Sequence, residues 1–273
     1  MSFLIRPAIP SDLDPIHRLA TSLSAQGFLT LPSEREELKS LIDLSVRSFQ
    51  DKLRNPDEGQ YLFVLEGREG DRKVIGCSLV IARHGTRELP HLFFQISSEK
   101  RTIQLRSEIS GRTELGGLIL DPAYRGRSEK LGRQLSYIRL QFIRRHPDRF
   151  QKDLIAELLP PLTPDGKSLF WEALGRKFTG MDYREADLLS RRDKGFVEKM
   201  FPREEIPIDS LPKEVQEVIG VPGPGSAPAA KMLEAAGFRF LNQIDPFDGG
   251  PHYGARQKEV REVTIDVSSR FDG

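Results

Sequence analysis

An apolar run from Glu114 to Leu120 ends at Asp121-Pro122, passes through the polar, basic stretch Ala123–Leu131 and enters a segment whose apolar residues Leu135, Ile138, Leu140, Phe142 and Ile143 share one helical face. The order is strand, basic loop, helix. Such a helix buries its stripe against a sheet, so the chain is expected to layer helices on strands. The alternation recurs along the sequence. Phe3–Arg6 is a short β-run stopped by Pro7, and Ser11 or Asp12 can cap a helix carrying Leu13, Ile16, Leu19, Ala20 and Leu23. A second helix starts near Ser33 with an acidic first turn, Glu34, Glu36 and Glu37, which suits the positive end of a helix dipole. Tyr61–Leu65 and Lys73–Ile81 flank a Gly-rich polar turn and read as a β-hairpin.

Further along, residues 85–112 are read as a strand followed by an irregular, partly exposed segment over Ser97–Arg106. Asp153–Leu158 is a strand, and Ser168 can cap a helix that ends near Gly175. The sequence is helical again after Tyr183. Residues 221–228, rich in Pro and Gly, are expected to form no regular element and to lead into a helix over Ala229–Ala236 closed by Gly237. Phe238–Leu241 returns as a strand, and residues 255–273 are expected to be peripheral. The fold class expected is α/β, with helices around a mixed sheet. The division expected is a core over 1–190, a helical and strand portion over 191–262 packed on it as part of the same unit, and a tail over 263–273.

Composition narrows the function. Lys plus Arg number 41 against 40 Asp plus Glu, so bulk charge gives no support to a nucleic-acid partner, and any anion site must be local. The single cysteine, Cys77, rules out an intramolecular disulfide and fits a reducing, cytoplasmic compartment. Its mid-strand position reads as a small buried apolar residue rather than a nucleophile. No apolar run reaches the ~18 residues of a membrane span, so no membrane partner is expected.

The chemistry lies in the loop. Free N–H groups and a partial positive charge at a helix start bind phosphate. Gly126 and Gly132 let backbone come close, while Arg125, Arg127 and Lys130 add cationic donors and Ser128 a hydroxyl. The alternative is a solvated basic turn. The spacing matches neither the Walker pattern nor Gly-x-Gly-x-x-Gly.

At these residues the sequence resembles the GNAT acyltransferases. Ile5-Arg6-Pro7-Ala8 with Ser11-Asp12-Leu13 is similar to their opening strand and helix, and Leu120–Arg127 to their acyl-CoA motif. Ser128-Glu129-Lys130 stands where one glycine is usual, and Gly132 supplies the last position. Within that superfamily the chain resembles the arginine N-succinyltransferase family. The pieces are Thr113-Glu114-Leu115, Ser168–Trp171 with Leu174-Gly175, Met181-Asp182-Tyr183, Ala186-Asp187, Glu217–Gly220, Ala227-Pro228-Ala229 and Ile244-Asp245-x-Phe247-Asp248-Gly249-Gly250-Pro251. They span roughly residues 3–262.

The resemblance implies a GNAT-like fold with a family-specific C-terminal extension and transfer of a succinyl group from succinyl-CoA to the α-amine of arginine. It implies no permanently bound cofactor and no metal. The backbone at Leu118, Ile119 and Leu120 is expected to pair with the pantetheine of acyl-CoA as an added strand would. Self-association, or pairing with a related subunit, is implied as well. One position departs: where the family carries a proposed catalytic histidine, after Val218-Ile219-Gly220, this chain has Gly223. Either another group or water then takes the amine proton, or the reaction has changed. Glu157, on the strand after the loop-helix unit, and His252, next to the Phe-Asp-Gly-Gly-Pro run, are the candidates; their bland readings are a strand-end carboxylate and an exposed loop imidazole. A guanidinium prefers a planar carboxylate, which makes Asp182, Asp187, Asp245 and Asp248 candidates for the substrate side chain. Asp248 before Gly249-Gly250 equally suits a turn. The competing readings are a related acyltransferase with another donor or another amine such as ornithine, and a non-catalytic CoA-binding subunit, for which Gly223 speaks.

Overall fold

The computed structural model of the protein describes residues 2–24, 31–68, 72–109, 111–190 and 195–270, with residues 22–24 and 187 described by backbone alone. The elements are β1 (Phe3–Pro7), α1 (Leu13–Ser24), α2 (Arg35–Phe49), β2 (Gln60–Gly67), β3 (Lys73–His84), β4 (His91–Ser97), β5 (Thr102–Glu108) and β6 (Arg112–Leu120). Then come α3 (Leu131–Arg145), β7 (Asp153–Glu157), α4 (Arg176–Thr179) preceded by a wide π-turn over Trp171–Gly175, α5 (Tyr183–Ser190) and α6 (Gly195–Met200). The chain ends through β8 (Ile206–Pro207), α7 (Lys213–Gln216), α8 (Ala227–Ala235), β9 (Arg239–Ile244), β10 (Pro251–Arg256) and β11 (Ser268–Ser269).

The strands form one mixed sheet in the order β11-β1-β2-β3-β6-β7-β10-β9-β4-β5-β8. Side chains alternate along each strand, so each face receives its own helices. On β2, Phe63 and Leu65 point to the layer of α3 and α8, where Leu135, Ile138, Phe142 and Leu233 are buried. Leu62 and Val64 point to the layer of α1 and α2, with Ile16, Leu38 and Ile42. Cys77 and Leu79 on β3 join that second layer. A third cluster ties β4, β5 and β9 to the helices α5–α7 through Phe94, Ile103, Trp171, Val197 and Ile244. The C-terminal strand β10 lies directly against β7, so the last third of the chain completes the sheet of the first two.

Four expectations change. Residues 91–108 form a regular hairpin, β4 and β5, with Phe94 opposite Leu105 and Ser97 opposite Thr102, where an irregular segment was expected over Ser97–Arg106. Arg101, in the turn before β5, and Arg106 and Gln104 on β5 pair outward with Asp209, with Gln104 and with the Arg203 carbonyl, which gives the hairpin its polar sequence. Ser168 caps its helix as expected, its Oγ accepting from Trp171 N at 3.0 Å, but the helix runs past Gly175 to Gly180, whose φ of +70° ends it. Gly175 is there for space: a Cβ would lie 2.2 Å from the Trp171 ring. The helix after the Pro/Gly stretch starts at Ala227, two residues earlier than expected, with Pro228 in its first turn, where its missing N–H costs nothing. Finally, Val263, Ile265 and Val267 pack on the core and β11 adds to β1 in parallel, so the segment expected as a peripheral tail covers the edge of the sheet as far as residue 270.

Trp171 is fully buried, stacks on Phe247 at 5.4 Å and donates its indole N–H to the Met181 carbonyl at 3.0 Å. Trp171→Ala removes this volume and leaves that carbonyl unpaired. It is expected to destabilise the protein by about 3–5 kcal/mol. Urea unfolding followed by circular dichroism measures this; a loss under 1 kcal/mol would contradict the packing described.

Candidate active site

β6 and β7 run parallel but pair at two positions only, Thr113 with Leu154 and Glu114 with Ile155. Beyond them β6 stays with β3, and among the described residues no strand borders its other side from Leu115 to Leu120. The divergence has a local cause. Between the pairs Leu79–Gly116 and Cys77–Ile119, β6 spends one residue more than β3, a β-bulge. Gly117 sits in it with φ +58°, and a Cβ there would lie 3.0 Å from Leu79 Cβ. Beneath the bulge the buried Arg139 of α3 donates to the Gly116 carbonyl at 3.0 Å and to Ser136 Oγ at 2.9 Å. Burial lowers its guanidinium to about 10 while the charge of Glu114 resists, so Arg139 stays cationic at neutral pH. Leu118, Ile119 and Leu120 thus line an open wedge.

At the wide end of the wedge stands the basic loop. Lys130 adopts a left-handed conformation, φ +51°, and the helix begins at Leu131. Gly126, φ +70°, has open space where a side chain would be, and Gly132 stands against Leu120. Arg125 donates from Nε to the Leu120 carbonyl at 3.2 Å. Arg127 lies over the rings of Phe3 and Tyr124 and 3.6 Å from Glu129, which also accepts from Ser128 Oγ at 3.1 Å. Glu129, in the segment inserted relative to the GNAT pattern, therefore takes up part of the loop's cationic and hydroxyl donors. Its own backbone N–H, Ser128 and Arg127 hold its carboxyl below the ordinary value.

At the narrow end the side chains converge on Glu157, the last residue of β7. His252 is its cross-strand partner on β10. His91 Nε2, from the start of β4, approaches Glu157 Oε1 to 3.0 Å, His84 Nε2 from the end of β3 to 3.7 Å and His252 Nε2 to 3.8 Å. His84 Nδ1 lies 2.9 Å from Glu114 Oε2, so the chain of charges continues to Arg139. The His91 ring stacks on His252 at 5.3 Å. Gly85, φ +87°, permits the tight return: a Cβ there would meet His91 Cβ at 2.9 Å. Burial works against the charge of Glu157, but the hydrogen bond from His91 and the field of His84 outweigh it and hold its carboxyl well below the usual carboxylate range. His252 is fully buried, and burial pushes its imidazole down to about 3, leaving it neutral.

Both candidates for the proton acceptor thus meet at one place. His252 is an interior strand residue rather than an exposed loop imidazole. His84 and His91 complete the group, and they, with Glu114 and Arg139, were not among the expected site residues. Five strands and α3 supply them, and no local spacing could have joined them; only the Thr113-Glu114-Leu115 piece drew notice to one member. Of the acidic candidates, Asp182 caps α5 by accepting from Glu185 N at 2.8 Å. Asp245 Oδ1 accepts from Phe247 N and Asp248 N, and Asp248 Oδ1 from Gly250 N at 2.7 Å, so both hold the turn. Asp248 Oδ2 also accepts from Tyr183 Oη at 3.5 Å. The side chain of Asp187 lies outside the described residues. Gly223 packs on Pro160, where a Cβ would lie 2.5 Å from the carbonyl oxygen, so no histidine fits on this backbone. With Arg125, Leu159, Pro160 and Ser226 it lines a cavity of about 160 Å³.

Residues 3–262 match the family described as arginine N-succinyltransferase beta subunit. The chain is 34% identical over 278 residues to an arginine N-succinyltransferase of Yersinia pestis (strain Pestoides F), an alignment covering 97% of this chain and 78% of that protein. It is 33% identical over 271 residues to the arginine N-succinyltransferase of Escherichia coli O17:K52:H18, covering 95% and 78%. The structure of arginine/ornithine succinyltransferase subunit AI from Pseudomonas aeruginosa superposes with a TM-score of 0.78 at 28% identity, over 95% of this chain and 78% of that one. The expected GNAT-like α/β fold is thereby found.

Cys77 is fully buried in the layer of α1 and α2, and burial pushes its thiol up to about 12. A thiol reagent at pH 8 is expected to leave it unmodified in the native protein and to titrate one thiol per chain after denaturation. Rapid labelling of the native protein would contradict the buried placement.

Proposed function

The chain belongs to the arginine N-succinyltransferase beta subunit family, and on that premise we propose that it moves a succinyl group from succinyl-CoA to the α-amine of L-arginine by direct transfer. The observation that carries the reading is the wedge between β6 and β7 with an ionised carboxylate, Glu157, at its apex. Pantetheine lies along Leu118–Leu120 as an added strand, its amides pairing with the backbone that β7 leaves unmet. The diphosphate docks on the loop of Arg125, Gly126, Arg127, Ser128, Lys130 and Gly132 at the start of α3. This orientation carries the thioester toward the apex.

There the neutral amine attacks the thioester carbon, the C–S bond breaks, and the amine proton passes to Glu157. Glu157, with His91 Nε2 at 3.0 Å beside it, then returns that proton to the departing CoA thiolate, which leaves as the free thiol. On this reading the proton acceptor is Glu157 on β7, and the loop of Gly223 serves as a wall near Arg125. For the guanidinium, Asp248 suits better than Asp245. The latter has an oxygen within 4.8 Å of both Glu157 and His252, too close to the α-amine for the far end of an arginine. No described helix is long and apolar enough to cross a membrane. The lone buried thiol accords with work in the cytoplasm, and the family's name as a subunit accords with assembly into an oligomer.

Purified protein with arginine and succinyl-CoA is expected to release free thiol at a rate that depends on both substrates, and acetyl-CoA is expected to serve poorly. Glu157→Gln keeps the shape and removes the basicity; kcat is expected to fall by roughly 10²-fold or more. Unchanged turnover excludes Glu157 as the acceptor, and absence of thiol release despite CoA binding returns the chain to a binding subunit. A second variant tests the loop. Glu129→Gln frees Arg127 and Ser128 for the phosphates, so CoA is expected to bind several-fold tighter. Weaker binding in calorimetry would show that Glu129 organises the loop rather than competes for it.

A further inference from the structure

The group at the apex contains more than proton transfer needs. A single base and one orienting partner suffice for that, whereas three imidazole Nε2 atoms surround one carboxylate oxygen. We propose that His84, His91 and Glu157 bind a divalent transition-metal ion of the zinc class, with His252 as the flanking donor.

The geometry fits. Ligand atoms of His84, His91 and Glu157 all lie within 4.8 Å of one another. His91 Nε2 and His84 Nε2 are 3.0 and 3.7 Å from Glu157 Oε1. Tetrahedral ligands about 2.0–2.1 Å from zinc stand roughly 3.3 Å apart, so an ion enters with small side-chain shifts. The rings of His84 and His91 meet edge to face, 4.8 Å apart at 70°, and so reach a common point from different directions. His84 presents Nδ1 to Glu114 at 2.9 Å, the carboxylate–histidine pairing that fixes a metal-binding tautomer and leaves the Nε2 lone pair for the ion.

His252 supplies an independent observation. It is fully buried, its Nε2 faces Glu157 Oε1 at 3.8 Å, and neither ring nitrogen makes a hydrogen bond. A buried polar ring without a partner is costly unless something it can donate a lone pair to occupies the space beside it. Two or three imidazoles with one carboxylate suit zinc, cobalt or nickel and not magnesium or calcium, which prefer all-oxygen sites. The consequence for catalysis rests on the acyl-transfer reading above. An ion on Glu157 occupies the lone pair that takes the amine proton, so loading the site is expected to slow turnover reversibly.

The test uses tag-free full-length protein stripped with a chelator. Titration with Co²⁺ is expected to give visible absorption saturating at one ion per chain, and Zn²⁺ is expected to displace it. His84→Ala and His91→Ala are expected to abolish stoichiometric binding. Glu114→Gln, which keeps the fold's shape, is expected to weaken it by roughly 10–100-fold. His17→Ala, altering a histidine that contacts the Ser33 carbonyl instead, serves as the control and is expected to bind as the wild type does. Circular dichroism of each variant separates loss of binding from loss of fold. If Co²⁺ gives no saturable spectrum, or if binding survives in folded His84→Ala and His91→Ala, the proposal is wrong, and the acyl-transfer reading is untouched. Stoichiometric binding that leaves turnover unchanged supports the site and removes Glu157 from the proton's path instead.

Discussion

A carboxylate that must stay charged inside a sheet sets the terms for the rest of this structure. Glu157 stands where β6 and β7 part, its side chain 28% exposed, at the edge of two hydrophobic layers. An ion there is tolerated only when other groups share its field. His91 comes from β4, His84 from β3 and His252 from β10 to do so. The sheet order follows the same requirement. β10 must lie beside β7 for His252 to face Glu157, and the hairpin of β4 and β5 must fold back at Gly85 for His91 to reach it.

The wedge is the complement of that cluster. Two ladder pairs hold β6 to β7, and the bulge at Gly117 turns the remaining length of β6 away. Arg139 holds the bulge from below by its bond to the Gly116 carbonyl, and its charge is balanced by Glu114, which in turn meets His84. The lining of the wedge and the charge at its apex are therefore linked through buried groups, an arrangement in which loss of one member is felt by the others.

Much of the fold was legible because its signals are local. The hairpin of β2 and β3 announced itself by β-branched runs around a polar turn, and the strand, basic loop and helix of residues 114–145 by a change of period. The hairpin of β4 and β5 did not, because its outward residues are charged and paired at the sheet's edge, which dilutes alternation. Gly175 misled for a physical reason: a glycine after a helical stripe signals a C-cap, yet here it makes room for the Trp171 ring, and the cap is Gly180. Of the candidate cluster, Glu157 and His252 could be named in advance from their places next to recognisable pieces. His84, His91 and Arg139 were not assigned, since their roles exist only after five strands and a helix have assembled.

The central claim is that acyl transfer takes place at Glu157, at the apex of the wedge. A crystal structure of the protein with coenzyme A and N-succinylarginine bound tests it most directly. The account places the sulfur between β6 and β7 and the new amide nitrogen about 2.6–3.2 Å from a Glu157 oxygen, directly or through one water. A ternary complex with the sulfur outside the wedge, or with the amide nitrogen remote from Glu157 and its histidines, would contradict it.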